Sequence, residues 1–94
     1  LIYNGIKKGA KKMTYKQKVR FANTVKYYRQ VERDMTINEL SKATGVCGTV
    51  IWYIEHPKEV GGKRVRVSTI KKICYALGID KSTMDEFINY QLDD

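Results

Sequence analysis

The stretch TINELSKATGVCGTVIWYIE, Thr36 to Glu55, decides the architecture. Thr36 followed three residues later by Glu39 is a capping box, in which a hydroxyl and a carboxylate each satisfy a free backbone N–H at a helix start. The helix begun there runs to Thr44 and is expected to carry Leu40 and Ala43 into the core. Gly45 stops it, because a left-handed backbone comes cheaply only to glycine. Val46 follows, and a second helix runs from about Cys47 to His56, where Pro57 ends it. Val46, Ile51 and Ile54 mark its inward side. At about 100° per residue, Thr49 and Tyr53 then lie one turn apart on the other side, turned outward.

The flanks extend the same pattern. From Thr14 to Arg33, Phe21, Val25, Tyr28 and Val31 recur at steps of four and three, the mark of one apolar helix face. Lys18, Arg20, Lys26, Arg29 and Arg33 fall mostly off that stripe, and Asp34 and Met35 break it. Lys58 to Val67 reads as a loop around Gly61 and Gly62. Ser68 is expected to cap a helix bearing Ile70, Ile73, Cys74 and Leu77 and ended by Gly78. Asp80 or Ser82 then caps a last helix with Met84, Phe87, Ile88 and Leu92. No strand pattern competes. The expected fold is all-α, a five-helix domain over residues 14–94, preceded by a basic arm over residues 1–13 that reads as flexible.

Composition bounds the chemistry. Ninety-four residues suit one domain, and an apolar fraction of 43% argues against disorder. No apolar run is long enough to cross a bilayer, and the first twelve residues do not read as a secretory signal. Cys47 and Cys74 are too far apart for a metal pair, and His56 is the one histidine, so no zinc site is expected. A disulfide between the cysteines stays open, but both read first as small core residues, which fits a cytoplasmic location. No glycine-rich phosphate loop, nucleophile elbow or ligand pair is present, so no enzyme activity, cofactor or small-molecule substrate is expected. Net charge is +8, which favours a polyanionic partner. Residues 1–33 hold ten Lys or Arg against one Glu, while the remainder holds eight bases against nine acids. Lys58, Lys63, Arg64, Arg66, Lys71 and Lys72 form a second basic run.

A helix, a glycine turn and a second helix with one face left outward form the order of a helix-turn-helix. Here the sequence resembles the phage repressor and Cro family, also called the XRE family. The resemblance rests on Thr36, Glu39, Leu40, Gly45, Val46, Ile51, Ile54 and Glu55, then on the later Y-A-L-G-I at Tyr75 to Ile79. It implies a lambda-repressor-like domain and a transcriptional regulator, repressor-like, of a bacterium, phage or mobile element, working on double-stranded DNA in the nucleoid. It also implies that the second helix lies in the major groove. Carried over by position, Cys47, Gly48, Thr49, Val50, Trp52 and Tyr53 face or flank the bases. His56 sits where the backbone is met, and Lys58, Lys63, Arg64 and Arg66 reach phosphates. Two departures stand out: Ile37 occupies a position where the family often has Gln, and the second helix holds no Arg, Lys, Gln or Asn, the usual bidentate base readers.

The apolar outer positions Val50, Trp52 and Tyr53 suit a rival reading, a protein-interaction module (antitoxin or antirepressor) on the same fold. Trp52 is also read as packing on the following loop. A homodimer through the last helix is expected, with Phe87 shared between core and interface and Ile88 or Leu92 nearer the partner.

Overall fold

The computed structural model describes residues 13–60 and 65–90. Residues 1–12 of the expected arm, residues 61–64 with Lys63 and Arg64, and Leu92 lie outside the described residues, whereas Met13, expected in the arm, is buried in the core. Helix α1 spans Tyr15–Tyr27 and runs on into a π-helical turn, Tyr28–Glu32. Then follow α2 (Ile37–Thr44), α3 (Gly48–Glu55), a single turn α4 (Pro57–Val60), α5 (Val67–Leu77) and α6 (Lys81–Asn89). Among the described residues there are five helices of eight residues or more and no strand, as the sequence implied. None of these helices is long and apolar enough to cross a membrane.

A capping box opens α1: the Thr14 hydroxyl accepts from the Gln17 N–H at 3.2 Å, and the Gln17 side chain accepts from the Thr14 N–H at 2.8 Å. Phe21, Ala22 and Val25 are buried, and Tyr28 packs against the core from its edge. Val31, expected in the core, is 62% exposed, and Arg29 is buried in its place. The cause is geometric. The row Phe21, Val25, Arg29 advances by four, and the π-turn, closed by the Arg33 N–H on the Tyr28 carbonyl at 2.9 Å, swings Val31 outward. Asp34, at φ 50°, then takes the left-handed backbone that turns the chain toward α2.

The burial of Arg29 is offset by its partners. Its Nε and Nη2 donate to the two carboxylate oxygens of Glu55 at 2.7 Å each, and Nη1 donates to the Met35 carbonyl at 2.8 Å. This two-pronged pair ties the end of α1 to the end of α3.

The Thr36–Glu39 capping box forms as expected, and Gly45 ends α2 at φ 78°. Ala43, however, is exposed: α2 presents Ile37, Leu40, Ser41 and Thr44 to its neighbours, and Ala43 falls outside that row. Side chains stitch the turn, with the Ser41 hydroxyl donating to the Val46 carbonyl and the Val46 N–H donating to the Thr44 hydroxyl. Pro57 ends α3 but also starts the turn α4, a first-turn position where its missing N–H is no loss. Part of the expected loop is therefore helical. Arg66, not Ser68, precedes α5, and Ser68 lies inside its first turn. Ile70, Ile73, Cys74 and Leu77 fill the core as expected. Gly78, at φ 75°, ends α5, where Arg33 Nε donates to the Leu77 carbonyl. Asp80 caps α6 by accepting from the Thr83 N–H at 3.0 Å. Phe87 is wholly in the core, its ring centroid 4.6 Å from that of Phe21, so it has no surface to share with a partner.

Candidate nucleic-acid interface

Helix α3 is held from one side. Ile51, Ile54 and Glu55 are buried, Val46 closes the turn before it, and α1 and α2 pack against this side. Spacing of about 100° per residue then places Thr49, Trp52, Tyr53 and His56 contiguously on the opposite side. Thr49, Val50 and Trp52 are exposed, while Gly48, Tyr53 and His56 are half-buried.

Three of these residues form one ring assembly. The Trp52 and His56 rings stack with centroids 3.9 Å apart and planes 9° from parallel, and Tyr53 meets Trp52 edge-on at 5.9 Å. His56 Nδ1 lies 2.8 Å from the Trp52 carbonyl oxygen. Trp52 thus packs against rings at the end of its own helix and stays 39% exposed, while residues 61–64 of the loop expected to cover it lie outside the described residues. The i,i+4 spacing of Trp52 and His56 is the sequence signal for this stack.

The cysteines separate. Cys74 is buried, which with nearby Asp80 pushes its thiol up to about 12. Cys47 is exposed at the start of α3, contrary to the core reading, and both cysteines are free. The N–H and then the hydroxyl of Thr49, followed by the N–H of Val50, hold its thiol below the usual value. Gly48 leaves room beside it: a Cβ there would lie 3.7 Å from Ile37 Cγ2, an ordinary contact. Ile37 itself packs against the core, so it contributes apolar support where a polar side chain was absent from the sequence.

No cation lies on α3, and its one acid, Glu55, is engaged with Arg29. Attraction for a polyanion must therefore come from the rim. Lys42 on α2, Lys58 on α4, Arg66 ahead of α5, and Lys71 and Lys72 on α5 are all exposed. Lys26 of α1 and Lys58 of α4 line one hollow with His56 at the end of α3. A larger groove, along α1 and reaching Glu86 of α6, contains no residue of α3.

A family model described as a Cro/C1-type HTH DNA-binding domain matches residues 31–93, which include α2, the glycine turn and α3. No curated protein and no solved structure compared with the chain matches it. The chain belongs to the Cro/C1-type helix-turn-helix DNA-binding family.

Proposed function

We propose that the chain is a sequence-specific, repressor-like regulator of transcription that lays α3 in the major groove of duplex DNA. One observation carries the reading: Thr49, Trp52 and Tyr53 of α3, with His56 at its end, share one face opposite buried Ile51, Ile54 and Glu55. Thr49 offers a hydroxyl and a methyl, and the rings offer apolar contact to thymine methyls. Cys47, Gly48 and Val50 flank them, and Lys58, Lys63, Arg64 and Arg66 supply phosphate attraction. Such contacts release counterions, so affinity falls steeply with salt.

The regulator acts as a homodimer, because one small module reads too few base pairs for useful specificity. With Phe87 enclosed in the core, the contact falls to Ile88 and Tyr90 of the last helix, both half-buried in the single chain.

The test is a selection of duplexes followed by affinities for selected and random sequence at one salt concentration. Thr49→Ala and Tyr53→Ala should each cost roughly 1 to 3 kcal/mol on the selected site and leave random duplex nearly unmoved. An unchanged ratio in both variants would favour the second reading, an antitoxin-like or antirepressor-like interaction module. That reading draws on exposed Val50 and Trp52 and on the lack of Arg, Lys, Gln or Asn in α3.

A further inference from the structure

The chain contains one tryptophan and one histidine, and the fold stacks them face to face on α3. The Trp52 carbonyl beside His56 Nδ1 can only accept a hydrogen bond, so Nδ1 carries a hydrogen whether the ring is neutral or charged. Nε2 is then the one atom at which this ring gains or loses a proton. In the neutral ring Nε2 accepts, and in the imidazolium it donates. A phosphate oxygen accepts only. Contact between the two therefore requires the extra proton.

Charged and polar groups surround the ring. Lys26 and Tyr15 from α1, Lys58 from α4 and Glu55 from α3 line the hollow with His56, and Tyr53 adjoins the stack from its own helix. Both oxygens of Glu55 already accept from Arg29, so its charge is countered at close range. A phosphate brought to this rim meets both lysines and supplies the acceptor that Nε2–H needs. The indole face then stabilises the charged ring as well.

We propose that His56 grips a DNA backbone phosphate as an imidazolium, so that DNA binding takes up one proton from solvent at Nε2. The proposal rests on α3 facing DNA. It makes binding proton-linked: an imidazole changes charge between about pH 5 and 8, and a ligand that prefers the protonated form binds more tightly as pH falls. Trp52 reports the event, because a stacked imidazolium dims indole emission more than a neutral imidazole does.

The experiment titrates Trp52 emission from pH 5 to 8 in the intact chain, free and saturated with duplex at low salt, alongside duplex affinity across the same range. The expected result is a midpoint displaced to higher pH by duplex, and an affinity that rises by up to about tenfold per pH unit on acidification. His56→Phe, which keeps a ring over Trp52, should abolish both the emission titration and the pH dependence, and should weaken duplex binding at pH 5 to a pH-independent level near that of the unaltered chain at pH 8. Inorganic phosphate at matched ionic strength should leave the midpoint near that of the free protein. If duplex binds but the midpoint stays put, the proposal fails and the reading of α3 stands. If phosphate alone reproduces the displacement, the ring is a general anion site and the coupling to DNA is overturned. If no duplex binds at any pH in dilute buffer, both fall together.

Discussion

The two sides of α3 solve opposite problems within eight residues. The inner side is closed: Ile51 is fully enclosed, Ile54 nearly so, and the Glu55 carboxylate is held by both prongs of Arg29. The outer side is built of rings that lean on one another, with Trp52 between His56 and Tyr53 and still partly in solvent. The Arg29–Glu55 pair reaches across the chain to the end of α1, whereas the ring contacts of Trp52 with Tyr53 and His56 stay within four residues. The difference teaches that this helix holds the fold with one face and leaves the other, the proposed recognition face, turned away from the core. The outer surface can then change without disturbing the core, and the inner surface cannot.

The largest effect that could break this comparison is expected at Glu55. Removing its carboxylate by Glu55→Ala leaves the Arg29 guanidinium buried without its partner, which should cost about 3 to 5 kcal/mol in urea unfolding. Replacing both together, Arg29→Met with Glu55→Leu, should recover most of that loss, because the burden lies in a buried unpaired charge rather than in the pair itself. A single Glu55→Ala change that costs less than about 1 kcal/mol would mean that Arg29 escapes to water, and that the inner side is not closed.

Next in size is a contrast between two neighbours in sequence. Ile51→Ala should cost about 2 to 5 kcal/mol, as deletions of enclosed side chains do. Trp52→Ala, one residue on, removes a larger side chain from the exposed side, with its stack on His56 and its edge on Tyr53, and should cost about 1 kcal/mol or less. Equal costs would show that the ring assembly is part of the fold.

Much of this division was legible in the residues. The Thr36–Glu39 box, the stop at Gly45, the cap at Asp80 and the enclosed row Ile70, Ile73, Cys74 and Leu77 follow from short-range chemistry that any reader of the chain can apply. What escaped depended on partners distant in sequence. Arg29 reads as a solvent-facing base until Glu55, twenty-six residues on, supplies its counter-charge. Val31 belongs to the stripe by spacing and leaves it only because the turn Tyr28–Glu32 is wider than an α-helix. Pro57 reads as a terminator, yet proline suits a first helical turn as well, and only the fold decides between the two. In the site, the outward set Thr49 and Tyr53 came from the inner residues by rotation. The Trp52–His56 stack depends on the i,i+4 pairing of two side chains, neither of which signals it alone.

The smallest predicted effect sharpens the comparison most, because its two readouts should move in opposite directions. Gly48 opens α3 between the two sides, and a methyl group there meets only Ile37 Cγ2, at an ordinary 3.7 Å. Its backbone is helical rather than left-handed, so alanine fits without strain and loses less freedom on folding. Gly48→Ala should therefore raise stability by about 0.4 to 1 kcal/mol in urea unfolding. The same methyl projects at the end of α3 nearest the proposed groove floor, where the lack of a side chain lets the backbone come close. Binding to a selected duplex should weaken while binding to random duplex holds. A variant that is more stable and binds the selected site as well as before would show that the start of α3 stands clear of the bases. The contact would then have to be sought further along the helix, at Trp52, Tyr53 and His56.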